Sequence, residues 1–170
     1  MTIDNFITMM KKLSLLGIVA PLLLFVAACA AGRLPAKVET AFREMYPQAT
    51  RVEWNQMAGC YVAEFVKDSV EIDVWYDENA RWVMTETDVE SLKKVPVAVA
   101  DAFMNSLMAS MRLRDVRIIT FPKRPAVIVI EVEEYNSDTE YQLLYSEEGK
   151  LLKELNVSEL GGEIYPGLFE

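Results

Sequence analysis

The chain carries one sequence pattern twice, and this repeat limits the folds that it can adopt. Leu34–Phe42 returns in related form as Val95–Phe103, 61 positions later in the 170-residue sequence. Glu71–Tyr76 similarly returns as Glu140–Tyr145, 69 positions later. A period of this length is too long for a solenoid unit and too short for two ordinary domains. The repeat therefore predicts two copies of one small α+β module fused into one body.

Each copy is predicted to form a helix followed by a four-stranded antiparallel meander. Pro35 and Pro96 suit the first turn of a helix, where a missing N–H costs nothing, and apolar residues follow at helical spacing. Tyr46 and Pro47 should end the first helix, and the second is expected at Pro96–Leu107. The strands are expected at Val52–Trp54, Tyr61–Val66, Val70–Asp77 and Arg81–Thr87 in copy one, and at Val116–Ile119, Ala126–Glu133, Glu140–Ser146 and Lys150–Leu155 in copy two. The predicted fold class is α+β, with each helix on one sheet face and the opposite face open.

The first residues have the pattern of a secretory signal. Lys11 and Lys12 precede an apolar stretch from Leu13 to Ala28, and small residues follow it. A membrane-spanning helix needs about 20 apolar residues, and this stretch is shorter. We therefore expect a signal peptide at 1–30, module one at 31–91, module two at 92–157 and a C-terminal tail at 158–170.

Cys29 has two interpretations that the sequence leaves open. Val26-Ala27-Ala28-Cys29 resembles a bacterial lipoprotein box, in which Cys29 would become lipidated. The triplet Ala-Cys-Ala at residues 28–30 also fits ordinary signal cleavage. Both interpretations predict an exported protein of a Gram-negative bacterium, either periplasmic or anchored to the outer membrane. Contact with a membrane is expected only through the signal or the lipid.

The charge and the side-chain inventory exclude several functions. The chain has 17 basic and 26 acidic residues, no histidine, and a formal net charge of −9. An acidic surface repels nucleic acid; it suits a basic partner or simply keeps the protein soluble. Cys29 and Cys60 are the only cysteines, so no disulfide framework is expected. Without histidine the commonest general base and metal ligand is missing. We predict no catalytic residues, no cofactor and no metal, and therefore no enzyme.

The alternating pattern predicts the register of the first hairpin. If Asp68 and Ser69 form a two-residue turn, one sheet face pairs Tyr61, Ala63 and Phe65 with Tyr76, Val74 and Ile72 beneath the helix. The opposite face then places Val62 beside Trp75, and Glu64 beside Asp73. Since no helix is expected on this face, we predict these four residues to be a binding surface: Val62, Glu64, Asp73 and Trp75.

Other side chains near this surface allow both a functional and a structural interpretation. Glu53, Glu64, Glu71 and Asp73 contain the oxygen ligands that Ca²⁺ prefers, but we interpret them as a solvated acidic strand face. The three tryptophans could form a recognition platform or pack in the core. Cys60 has no histidine to activate it and is expected to be inert.

The first copy also carries motifs of a known family. In order they are Val-Glu-Trp, Tyr-x-Ala-Glu-Phe, Val-Trp-Tyr-Asp, Arg-Trp and Glu-Thr-Asp, at Val52–Trp54, Tyr61–Phe65, Val74–Asp77, Arg81–Trp82 and Glu86–Asp88. Over about residues 34–157 the chain resembles the PepSY-like, β-lactamase-inhibitor-like family of exported bacterial proteins. The resemblance implies tandem modules whose sheets form a concave surface, with no enzyme activity and no agreed ligand. The loop residues with which the namesake inhibitor grips its enzyme have no match here.

Three functions remain open from the sequence. The first is a non-catalytic module that holds an unknown protein or peptide, for which a basic segment is one candidate, on the open sheet face. The second is a secreted enzyme inhibitor. The third is a passive cell-envelope protein or an accessory in surface assembly.

Overall fold

Eight antiparallel strands run through one sheet in the order in which they occur in the chain. The computed structural model describes residues 34–159 and 162–170. The predicted signal peptide, with Cys29, lies outside these described residues. The architecture is α+β, as the sequence predicted, and Leu34–Glu170 forms one compact unit.

Each helix is followed by four consecutive strands that form a meander. The helices are α1 (Ala36–Met45) and α2 (Val97–Met104), with 3₁₀ turns at Leu92–Lys94, Leu107–Ser110 and Pro166–Phe169. The strands are β1 (Glu53–Met57), β2 (Cys60–Lys67), β3 (Val70–Tyr76), β4 (Trp82–Asp88), β5 (Arg112–Thr120), β6 (Val127–Glu133), β7 (Glu140–Ser146) and β8 (Leu151–Asn156). Each predicted strand is present, although β5 begins four residues earlier than the apolar pattern indicated.

The two halves of the sheet are joined directly. β4 pairs with β5 in the register Thr85↔Thr120 to Asp88↔Arg117. The sheet therefore runs without a break across the boundary predicted between residues 91 and 92.

The helix α1 packs on the first half of the sheet through an aromatic cluster. Val38 and Phe42 are fully buried, four residues apart on one helix face. The Phe42 ring lies 5.3 Å from Trp54 and 5.4 Å from Phe65, edge to face in both pairs. Aromatic pairs prefer this geometry, so the cluster fixes the helix on β1 and β2.

The helix α2 makes the corresponding contact on the second half. Val99 and Phe103 are buried in one cluster with Ile128, Ile130 and Leu143 of β6 and β7. Phe103 therefore occupies the place in copy two that Phe42 occupies in copy one.

The register predicted for the first hairpin is confirmed. Tyr61, Ala63 and Phe65 lie opposite Tyr76, Val74 and Ile72. The turn between β2 and β3 consists of Asp68 and Ser69, whose φ angles are 53° and 64°. Two consecutive left-handed residues make the type I′ turn that matches the twist of a hairpin. Because side chains alternate along a strand, this turn decides which residues share each face.

Within residues 34–159 and 162–170, no helix is both long and apolar enough to cross a membrane.

Candidate functional site: the acidic face of the sheet

The sheet face opposite the two helices holds the predicted binding residues, and we call it the acidic face. The register places Val62 opposite Trp75 and Glu64 opposite Asp73, as predicted. However, Val62 is only 1% exposed and Trp75 only 2%. The expectation that this face is open is therefore wrong at the apolar pair, and Trp75 is not an accessible platform in this structure.

The apolar pair belongs to a buried cluster that extends far beyond the hairpin. Met84 lies beside Trp75 on β4, and Ile119 follows on β5, so the second half of the sheet extends the apolar surface. The chain after β8 then crosses the same face, where Ile164 is 4% exposed. Sequence reasoning assigned no role to residues 158–170, because a short segment without periodicity gives no signal of where it docks.

The acidic pair has a different environment. Glu64 and Asp73 are directly opposite each other, where like charges destabilise a sheet. The side-chain amide of Asn55 donates a hydrogen bond of 2.7 Å to Glu64 Oε1, which offsets part of this repulsion. Neither carboxylate is fully buried, so both are accessible to a partner.

Carboxylates continue from this pair across the sheet, and we call the set the acidic row. Glu53 lies opposite Glu64 on one side, and Glu86 lies opposite Asp73 on the other. Arg117 on β5 connects the row to copy two, because it pairs with both Glu86 (3.2 Å) and Asp115. The members of the row are Glu53, Glu64, Asp73, Glu86, Asp88, Asp115 and Glu131.

Burial and neighbouring charges raise the pKa values of the carboxyl groups in the middle of the row. Burial, reinforced by Glu64, raises the pKa of Asp73 to about 6. Burial raises the pKa of Glu86 to about 7; Arg117 opposes this increase and Asp73 adds to it. Burial and the nearby Asp115 also raise the pKa of Asp88. Asp73 and Glu86, with pKa values of about 6 and about 7, therefore exchange protons near neutral pH, although an ordinary carboxyl group does so near pH 4.

One end of the row opens into a groove of about 680 Å³. Its walls include Glu53, Glu64 and Asp73 of the row, together with Glu71 and the Asp68 turn. Arg51 also lines the groove and contributes a positive charge. A second groove of about 470 Å³ lies at Asp88, Glu90, Arg114, Asp115, Arg117 and Glu131.

The remaining candidates have structural roles. Trp54 and Trp82 pack with the aromatic cluster under α1, and Trp82 donates a hydrogen bond of 3.0 Å to Thr85 Oγ1. Cys60 is 8% exposed, and burial, followed by the charge of Asp77, raises the pKa of its thiol, which makes it less reactive. Among the described residues, no group of three or more His, Cys, Asp or Glu is placed to hold a metal ion.

The fold has counterparts in known proteins. The family described as "Putative beta-lactamase-inhibitor-like, PepSY-like" matches residues 59–153. This chain belongs to the PepSY-like family. No curated protein sequence matches it significantly.

Three solved structures show how far the PepSY-like fold extends. A DUF2874 family protein from Bacteroides ovatus is 38% identical with a TM-score of 0.76, over 79% of this chain and 96% of that one. A BLIP-like protein from Bacteroides fragilis is 36% identical with a TM-score of 0.71, over 79% and 96%. A protein from Bacteroides eggerthii described as "putative periplasmic" is 35% identical with a TM-score of 0.71, over 73% and 89%.

The PepSY-like match covers most of the acidic row but leaves part of the face outside. Residues 59–153 include every member of the row except Glu53. They exclude Ile164 and the rest of the segment that covers the apolar cluster. The row residues on β4 to β6 were missed by sequence reasoning, which stopped at Asp73. Counting onward from Tyr76↔Trp82 would have placed Thr85, not Glu86, opposite Asp73, because the ladder shifts between Trp75 and Tyr76.

Proposed function

We propose that this chain is an exported, non-catalytic binding protein whose acidic face holds a basic, partly apolar segment of a partner protein or peptide. One observation carries the proposal: Glu64, Asp73 and Glu86 lie side by side on three adjacent strands. Such an arrangement weakens the free protein, so its presence is better explained by a partner than by folding.

The chemistry of the row defines the partner. A guanidinium or ammonium group between Glu64 and Asp73 would replace the repulsion of two carboxylates by attraction to both. The groove of about 680 Å³ beside this pair offers space for such a side chain. Apolar residues of the partner would lie toward Val66, which is 60% exposed next to the groove. The net charge of −9 also favours a basic partner and disfavours nucleic acid.

Export is part of the proposal. The signal pattern before Cys29 predicts transport out of the cytoplasm. A relative from Bacteroides eggerthii is described as periplasmic, which supports the same destination for this chain. Anchoring to the outer membrane through Cys29 stays a prediction.

The proposal can be tested with defined peptides. A fluorescent peptide of alternating lysine and leucine should bind the protein, and the matched glutamate–leucine peptide should not. Glu64→Gln and Asp73→Asn should each weaken binding by about tenfold, and added salt should weaken it further. Glu44→Gln is the matched control, because it removes one exposed charge from α1 on the other side of the sheet.

The outcomes separate the two halves of the sheet. Loss of binding in Glu64→Gln and Asp73→Asn, with wild-type binding in Glu44→Gln, supports the assignment to copy one. Equal binding of both peptides would contradict a charge-selective site. If Glu131→Gln abolishes binding and the copy-one variants leave it unchanged, the site lies in copy two.

A second candidate function is inhibition of a secreted hydrolase. The observation that favours it is the family description, which is inhibitor-like, together with the BLIP-like relative from Bacteroides fragilis. A panel of β-lactamases and other exported hydrolases, assayed with added protein, tests it. Slower turnover that Glu64→Gln relieves would support inhibition through the acidic row.

A further inference from the structure

The segment after β8 is bound to the acidic face much as a separate peptide would be; we call Gly162–Glu170 the tail segment. Its first residue is held closely: the buried amide of Gln142 donates a hydrogen bond to the Gly162 carbonyl. Gly162 has a φ of 67°, and a Cβ there would lie 3.2 Å from Glu131 Oε2. A glycine therefore fits this position because the backbone turns left-handed directly against the sheet.

Apolar side chains attach the rest of the tail segment. Ile164 is 4% exposed and shares a buried cluster with Val129 and Leu144 of the sheet. Leu168 and Phe169 pack at the edge of the same cluster. The Phe169 ring lies 5.2 Å from that of Phe121, edge to face.

The polar contacts of the tail segment use its backbone. Lys153 Nζ donates to the Leu168 carbonyl at 2.8 Å, and Arg124 Nη1 donates to the Phe169 carbonyl at 2.7 Å. The Arg124 guanidinium also lies 3.6 Å from the centre of the Phe121 ring, which fixes its orientation. Because these donors bind carbonyl groups that every residue has, the face recognises an apolar segment without reading its polar side chains.

The tail segment does not fill the space available to it. A groove of about 390 Å³ remains between Phe169 and the strands β6 to β8. Its walls include Val127, Leu144 and Leu152, and Leu152 is 47% exposed. A bound segment would therefore find further apolar surface here.

We propose that the apolar half of the acidic face is a peptide-binding groove and that the tail segment is its internal competitor. The external occupant is a short extended segment of a partner, with apolar side chains at the positions of Ile164, Leu168 and Phe169. The inference deepens the proposed function, on which it rests for the existence of a partner: in addition to the apolar contact at Val66, a second apolar part of the partner enters this groove only when the tail segment leaves. The tail segment thereby lowers the apparent affinity of the groove for the partner.

A peptide of the tail segment itself is the probe. Fluorescein-labelled Gly-Glu-Ile-Tyr-Pro-Gly-Leu-Phe-Glu is titrated against the full chain and against the double variant Ile164→Ser, Phe169→Ser, which loosens the tail segment. The probe should bind the double variant at least about tenfold more tightly than the wild type. Adding Lys153→Met to the double variant should weaken the binding of the probe again. Glu163→Gln, an exposed change in the same segment, should bind as the wild type does.

The wild-type chain offers a second measurement that needs no loosened variant. Hydrogen exchange of the amides in residues 162–170 should become faster when unlabelled probe is added in large excess, because the probe displaces the tail segment. Equal probe affinity of the double variant and the wild type would overturn the proposal. If the double variant does not fold, unchanged exchange in excess probe would overturn it.

Failure of this inference can be distinguished from failure of the proposed function. The probe carries glutamates and no basic residue, so Glu64→Gln and Asp73→Asn should not weaken its binding. The lysine–leucine peptide depends on those two carboxylates. If the probe binds and the basic peptide does not, the peptide-binding groove is supported and the basic partner is rejected. If the basic peptide binds and the probe does not, only the groove is rejected.

Discussion

Asp73 on β3 lies directly opposite Glu86 on β4, and the pKa values of these two carboxyl groups are raised to about 6 and about 7. The native state therefore holds two protons more tightly than the unfolded chain, whose carboxyl groups have pKa values near 4. The stability that these groups contribute is fully present below pH 4. It is lost as the pH rises through about 6 and about 7.

The first prediction follows from that titration. The free energy of unfolding, measured in urea, should fall between pH 4 and pH 8, and Asp73→Asn should reduce this fall. The variant should be more stable than the wild type by roughly 1–2 kcal/mol at pH 8 and equal to it at pH 4. Asp138→Asn, an exposed loop change, serves as control. A wild-type stability that rises over this interval would contradict the raised pKa values.

The second prediction compares equivalent turns in the two copies. Ala80 before β4 has a φ of 65°, which is strained for alanine, whereas Gly149 before β8 has a φ of 81°. Ala80→Gly should stabilise the protein by up to about 1 kcal/mol, after the entropic cost of glycine is subtracted.

Gly149→Ala should have the opposite effect, because its Cβ would clash with the Ala98 carbonyl group of α2. A loss of more than about 2 kcal/mol is expected in thermal or urea unfolding. If both substitutions change the free energy of unfolding in the same direction, the two turns are not equivalent.

The third prediction tests the helix anchors. Phe42→Ala and Phe103→Ala should each cost about 3–5 kcal/mol, because both rings are buried between a helix and the sheet. Leu107→Ala, at a residue that is 92% exposed, should cost less than about 0.5 kcal/mol. A cost below about 1 kcal/mol for either phenylalanine would show that its helix does not pack as described.

The fourth prediction concerns Trp75 and Trp82, whose indole N–H groups differ in hydrogen bonding. Trp75 Nε1 is buried and has no hydrogen-bond partner among the described residues, whereas Trp82 Nε1 donates to the buried Thr85. Trp82→Phe should leave the Thr85 hydroxyl without its donor, so a double-mutant cycle of Trp82→Phe with Thr85→Val should show a coupling of about 1 kcal/mol in urea unfolding. Trp75→Phe with Thr85→Val should be additive, and equal coupling in both cycles would contradict the assignment of the hydrogen bond to Trp82.

The fifth prediction concerns export. The mature protein should begin at Cys29 or shortly after it, and mass spectrometry of envelope fractions decides between the two. A diacylglycerol-modified Cys29 identifies a lipoprotein, and an unmodified start near Ala31 identifies ordinary cleavage. A mature chain that still begins at Met1 or Met10 would exclude both.

The hairpin register was predictable because it depends on two adjacent residues. Once Asp68 and Ser69 form the turn, every pair from Lys67↔Val70 to Tyr61↔Tyr76 follows by counting. The continuation to β4 was harder, since the ladder shifts between Trp75 and Tyr76 and counting alone misplaces the residues beyond the shift.

What covers a sheet face depends on contacts far apart in sequence. Val62 and Trp75 were predicted to be open because they lie on the sheet face on which no helix was expected. The buried cluster to which they belong includes Ile119 and Ile164, and no periodicity links these residues to β2. The acidic members of the same strands were assigned correctly to a shared face, because that assignment needed only the hairpin.

The sequential order of the strands has a consequence for how the protein matures. If the chain emerges with its N-terminus first, each new strand can pair with the strand already formed, because every strand pairs only with its neighbours in sequence. Contacts of this kind close short loops and favour rapid folding. Ile164 is different, since its site at Val129 and Leu144 exists only after β6 and β7 are in place. The docking of the final residues therefore marks the completion of the sheet.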